Sequence, residues 1–243
     1  REARELPPTT LMKKALMMPI TIAAYKLEKV RARLSPVHVS DKQLLESLDG
    51  FASLQEALSH IRGERPRFFI GPSLKGEIVS LIQREFPQLK KEIIVEADKV
   101  CAHIFDLLGS GPVNLDEFVE RHGGSEVCGY LPWHFDFKVG YRWNPKKFYK
   151  EIRPAYGKAD IKVPWELSRF QHVTVLGQAY WLTGDEKYAR EFVRQVDDWI
   201  DHNPPKFGVN WACTMDVAIR VANWILGFYF FRDSKAFTDE FLI

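Results

Sequence analysis

Cysteine is scarce: Cys101, Cys128 and Cys213 are the three in 243 residues. They are too scattered for a metal knuckle, and an odd number cannot all pair within one chain. They read as free, buried thiols and leave the compartment open. Charge of one sign is not in excess either. Lys and Arg total 34 against 32 Asp and Glu, a net charge of +2, so nothing calls for a nucleic-acid partner. No apolar run is long enough to span a membrane. The nearest approach, ALMMPITIAAY after Lys13-Lys14, is broken by Pro19 and runs on into the basic KLEKVRARL with no cleavage site, which argues against a signal peptide. There is no short-period repeat and no low-complexity tract. A GxGxxG before a helix, a Walker loop, HExxH and GxSxG are all missing, and with them the common nucleotide, zinc-protease and hydrolase signals. No cofactor is expected, and no metal ligands are assigned.

What is present is apolar material, 46% of the residues, enough for one large core. Aromatics reach 13%, with seven Trp. Trp and Tyr beside polar residues often line sugar-binding clefts; they also fill gaps between helices. The chain is organised around Pro164 to Phe231. Phe170, Val173, Leu176 and Tyr180 predict a first helix by their steps of three and four. Tyr188, Phe192, Val196, Trp199 and Ile200 predict a second, and Val217, Val221, Trp224, Ile225 and Phe228 a third, each with one buried face. Thr183-Gly184-Asp185 supplies a Gly stop and an Asp cap. Asn203-Pro204-Pro205 ends the second helix, and Thr214 is placed to cap the third. Short breaks of this kind make antiparallel neighbours.

Upstream, a helix with a Lys/Arg outer face is expected over 10–34. Short helices follow at 41–48 and 54–62, an extended link at 67–70, and helices at 74–85 and 87–100. Residues 103–108 and 113–115, around Gly109-Ser110-Gly111-Pro112, read as a β-hairpin or an ordinary loop. Residues 132–149, PWHFDFKVGYRWNPKKFY, form a long aromatic connection with His134 and Asp136 two apart. Long ordered connections are often functional or lid-like. The chain reads as a single helical domain, with residues 1–130 as lead-in and hairpin and 131–243 as core helices. A start at Arg1 and a stop in the apolar Phe241-Leu242-Ile243 suggest a piece of a longer protein.

Polar residues on these apolar helices carry the candidate chemistry. Glu166, Arg169 and His172 or Val173 share a side of the first predicted helix; Asp216, Arg220 and Asn223 share a side of the third. The two stripes line one cleft, or they are two intrahelical ion pairs worth about 0.2–0.5 kcal/mol each where exposed. Asn210 lies in the turn FGVNW before a helix N-terminus, where backbone N–H groups favour an anion. It is either a donor facing an open groove or a turn former bonded to its own backbone.

WHFDFKVGYRWNPKKFY, then WELSRFQHVTVLGQAYWLTGDEKYA, then DDWIDHNPPKFGVNWACTMDVAIRVANWI resemble, in that order, the N-terminal region of heparinase II/III-like polysaccharide lyases. The resemblance covers about 131–231. It implies a mainly α fold, an incomplete α/α toroid of antiparallel helix hairpins, followed by a β-sandwich domain of the same chain. It also implies an exported protein, periplasmic or secreted, that cleaves acidic polysaccharide by β-elimination. A base removes the proton beside a uronate carboxylate, an acid protonates the leaving oxygen, and a donor at the carboxyl group stabilises the charge that develops. The resemblance puts Asn210 in the last role and the acid/base residues beyond residue 243. Trp133, His134, Trp165, Arg169, Trp211 and Arg220 are the candidate substrate-binding residues. Two alternatives stay open. One is an α/α-toroid glycoside hydrolase with Glu166 or Asp216 as acid. The other is a non-catalytic helical scaffold that binds glycan or protein.

Overall fold

The computed structural model describes residues 22–34, 39–63, 72–122 and 131–243. The expected link at 67–70, the start of the 10–34 helix and Cys128 lie outside the described residues. The chain divides into two compact units, residues 1–38 and 39–243. In the first, residues 22–34 form helix α1, with Lys26, Arg31 and Arg33 exposed.

The second unit is mainly helical. Its first helix, α2 (Asp41–Ser47), opens on a capping box in which Ser40 and Gln43 each accept the other's backbone N–H, satisfying two donors the helix cannot reach itself. α3 (Leu54–Gly63) follows. A 3-10 turn at Pro72–Leu74 leads into α4 (Lys75–Glu85). Pro87 opens α5 (Pro87–Cys101), at a position where its missing N–H has no helical partner to lose. The expected hairpin forms as β1 (Ile104–Phe105) and β2 (Val113–Asn114), antiparallel with Ile104 opposite Asn114. Helix α6 (Leu115–His122) comes next. A second antiparallel pair, β3 (Phe135–Asp136) with β4 (Tyr141–Arg142), folds inside the segment that reads as one long connection. Asp136 ties it down, accepting from Lys138 N at 2.9 Å and Asp160 N at 2.8 Å.

The remaining helices are α7 (Lys162–Ser168), α8 (Val173–Thr183), α9 (Lys187–His202), α10 (Thr214–Phe231) and α11 (Asp239–Leu242), with a 3-10 turn at Val209–Trp211 before α10. Buried α8 is the hub and packs on α5, α9 and α10. Gly177 permits a close crossing with α10: a Cβ there would lie 2.2 Å from Phe230 Cγ. The α8 stop is the one expected, with Gly184 left-handed at φ +70° and Asp185 Oδ1 accepting from Lys187 N at 2.9 Å. Cys101 and Cys213 are free and half-buried.

Four expectations need correction. The first predicted helix is two, because the chain bends between α7 and α8. Phe170 sits at the bend with φ +59°, a left-handed conformation uncommon for a bulky residue. It is held there by complete burial and by stacking on Trp133, ring centres 5.3 Å apart. Thr214 does not cap α10; Cys213 occupies that position without a side-chain bond. The face of α10 is also shifted: Trp224 and Phe228 of the predicted stripe pack against the core, but not all of it is covered. Val221 and Ile225 of its apolar stripe are exposed, while Asp216 and Arg220 are buried. On α9, Tyr188, Phe192, Val196 and Trp199 are buried as predicted, but Ile200 is exposed. Ile200, Val221 and Ile225 line one side of an apolar groove of about 360 Å³ together with Trp224 and Phe228.

Candidate functional site

The two polar stripes do meet, through one guanidinium. Arg169, at the bend after α7, donates to Glu166 and to Asp216 Oδ1 of α10, the latter at 2.6 Å. The expected Glu166–Arg169 pair is therefore present, but Asp216 takes Arg169 of another segment as its partner. Asn223 Nδ2 donates to Arg169 O at 2.7 Å and fixes the same bend to α10.

Arg220 lies behind this cluster, 2% exposed. Its guanidinium sits 3.9 Å from the Trp199 ring centre and donates to Ser168 O and Asn210 O at 3.3 and 3.2 Å. Burial pulls its pKa down to about 10, against the nearby Asp216 carboxylate. A cation stacked on an indole and bonded to two carbonyls clamps α7 and the 209–211 turn to α10.

Asn210 is held from three sides. The side chain is 1% exposed. Its Nδ2 donates to Trp133 O and to Asn203 Oδ1, both at 2.8 Å. Oδ1 has no partner among the described residues. Since Trp133 O can only accept, the amide orientation is settled: the donors are engaged and the unengaged atom is an acceptor. The open-groove geometry expected for Asn210 is thus not the one observed, and neither is bonding to its own backbone. Its partners are 7 and 77 residues away.

The six expected contact residues fall into two groups. Trp133, His134 and Arg220 are in the core. Trp133 is buried, with Nε1 donating to Asp198 Oδ2 at 2.7 Å. His134 Nε2 meets His202 O at 3.0 Å, and desolvation takes its pKa down to about 4. It is therefore neutral near pH 7, and Nε2 carries the proton. Gly208 is the reason the ring fits: a Cβ there would lie 2.6 Å from His134 Cε1, and its φ of +80° suits only glycine. Trp165, Arg169 and Trp211 remain partly exposed. The indoles of Trp165 and Trp211 donate inward, to Val209 O at 2.9 Å and Asn203 O at 3.0 Å, which fixes both rings beside the FGVNW turn.

Asn203 and Asp198 do as much as any expected residue, and the sequence reading passes over both. Asn203 is seen there only as a helix stop. It also donates to Trp199 O at 2.8 Å, so it ties the α9 terminus to Asn210. A signal existed: Glu191, Gln195, Asp198 and His202 recur at steps of four, three and four along α9, a polar stripe flanking the apolar one. Glu166, Arg169, Asp216 and Arg220 sum to zero formal charge. The cluster therefore supplies rigid positioning and an aromatic rim rather than an exposed cationic surface.

This chain belongs to the heparinase II/III family, to its N-terminal region: residues 116–243 match the family described as Heparinase II/III N-terminus. Among curated proteins, a heparin-sulfate lyase of Pedobacter heparinus is 37% identical over 89 residues, covering 35% of this chain and 13% of that protein. A heparin-sulfate lyase of Bacteroides thetaiotaomicron is 28% identical over 123 residues, covering 43% of this chain and 18% of that protein. One of Bacteroides stercoris is 35% identical over 77 residues, 31% of this chain and 10% of that protein. The match thus spans less than a fifth of each relative's length. No solved structure matches.

Proposed function

We propose that this chain is the N-terminal toroid region of an exported polysaccharide lyase that cleaves a uronic-acid-containing polymer by β-elimination. The observation that carries this is the family match over 116–243, which contains Asn210 and the aromatic residues around it. The names of the three curated relatives point the same way. In this reading Trp165 and Trp211 offer ring faces to the sugar, and Asn210 is the donor at the uronate carboxylate. The acid and base, and a β-sandwich domain, lie beyond residue 243 in this reading.

The structure sets a condition on Asn210. One of its two N–H bonds must be exchanged before it can serve a carboxylate. In this reading the bond given up is the one to Asn203 Oδ1, while Asn203 Nδ2 keeps its own bond to Trp199 O. The donor is then held in a dry site, where it acts most strongly on developing charge.

The test uses the complete protein with heparan sulfate, alginate and other uronate polymers, followed by the ultraviolet absorbance of unsaturated uronate products. Asn210→Ala should lower kcat by about 10²–10³-fold with an unchanged circular-dichroism spectrum. Saturated reducing ends in place of absorbing products, or full activity in Asn210→Ala, would overturn the reading.

A further inference from the structure

His103 stands apart from the Asn210 turn, and its surroundings are built around a proton. It lies between α5 and β1 with φ +53°, buried. Its backbone N–H bonds Val100 O of α5, and its carbonyl accepts from Leu115 N of α6 at 2.9 Å. The ring points between two carboxylates. Nδ1 is 2.6 Å from Asp116 Oδ1 on α6, and Nε2 is 3.1 Å from Glu191 Oε1 on α9. Arg194 of α9 also touches Nε2, and it bonds Glu191 at 2.9 and 3.1 Å. The other ionisable ring on this network is His172, before α8. Its Nε2 reaches Gln195 Oε1 at 2.7 Å, and Gln195 Nε2 donates to Glu191 Oε1 at 2.5 Å.

Two donor–acceptor schemes satisfy this arrangement, and they differ by one proton. With a charged ring, Nδ1–H donates to Asp116 and Nε2–H to Glu191, and Arg194 bonds Glu191 alone. With a neutral ring, Nδ1–H still donates to Asp116, while Nε2 becomes an acceptor for Arg194. Two donors cannot share the contact between Nε2 and Arg194, so the proton decides which partner Nε2 has. We propose that His103 is a proton-operated clasp: the charged ring ties α6 and the β1–β2 hairpin to α9 through ionic bonds to Asp116 and Glu191, and loss of the proton exchanges the Glu191 bond for a neutral one to Arg194 of the same helix and weakens the tie.

Burial disfavours the charged ring, but hydrogen bonds to Glu191 and Asp116 outweigh it and hold the pKa above 6.5, with Arg194 opposing. Burial raises the Glu191 pKa, and its bonds to His103, Arg194 and Gln195 bring the net below the ordinary value. A raised His pKa means that the clasp contributes fully below pH 6.5 and is lost as pH rises through the folded-state value. Slack in α6 has a route onward, because Phe118 packs edge-on against Phe135 and Phe137 of the aromatic segment.

The test follows the histidine ring nitrogens by NMR in the 243-residue chain from pH 5 to 9, with amide exchange of 113–122 corrected for intrinsic rates. His103 should titrate above 6.5 and end as the Nδ1–H tautomer. Exchange in 113–122 should rise at least threefold through the same midpoint. Asp116→Asn should lower the midpoint and Arg194→Gln should raise it, carrying the exchange step with them. Asp116 and Arg194 are about half exposed, so both variants should fold. A midpoint at or below 6.5, one unmoved by either variant, or an exchange step that does not follow it would overturn the clasp.

Discussion

Arg169 reaches from the bend after α7 to Asp216 of α10, Nε to Oδ1 at 2.6 Å, and Asp216 is almost wholly buried. Removing one member of a buried pair leaves the other charge without compensation, at about 3–5 kcal/mol. Arg169→Met should lower the unfolding free energy by that amount in urea titration. Arg169→Met with Asp216→Asn should recover at least half of the loss. Additive losses would show that the two side chains are not energetically coupled.

Gly208→Ala should destabilise by about 2–4 kcal/mol, from a backbone conformation reserved for glycine plus the clash with His134. Adding His134→Ala removes the clash but leaves the strain. The double variant should thus stay below the His134→Ala single variant in melting temperature.

Acid should weaken the chain through His134. Its folded pKa of about 4 lies below the unfolded 6.5, so protons bind the unfolded chain first as pH falls. Stability is lost between pH 6.5 and about 4 and levels off below. The gap corresponds to about 3 kcal/mol. His172, pushed to about 4 by the same desolvation, acts in the same direction, whereas His103 has the opposite sign and acts only above pH 6.5. Urea unfolding across pH 4–8 should show a shallower acid-side slope in His134→Gln.

Asp198 accepts from Leu131 N at 3.2 Å and Trp133 Nε1 at 2.7 Å, anchoring the aromatic segment to α9. Asp198→Ala leaves both donors unpartnered, at about 2–4 kcal/mol in total. Hydrogen exchange should increase over 131–136 and stay unchanged over 173–183. A uniform rise across both segments would mean global loosening instead.

The sequence reveals helices well wherever local chemistry decides them. The Gly184 stop, the Asn203-Pro204-Pro205 terminus and the Pro87 start all stand where their side chains and φ angles require. It fails where tertiary contacts win. Nothing local announces that Phe170 turns left-handed, because burial against Trp133 and Trp224 imposes it. The α10 face cannot be told from spacing, since apolar residues occur nearly all round that helix and only the partners of Arg220 choose a side. Around the candidate site, the exposure of the named residues was not legible, nor were the parts played by Asn203 and Asp198. Asn210 and Arg220 look like ligand-facing groups in one dimension, but their partners come from segments up to 77 residues away.

The uncovered edge of α10 has a practical consequence for handling the protein. Ile200, Val221 and Ile225 each leave about half of their surface in water, on a single oily strip. Such a strip promotes colloidal stickiness at high concentration. Replacing these three with Lys or Gln should raise the solubility limit while leaving the packing beneath α10 intact, because charge on this helix already sits inward.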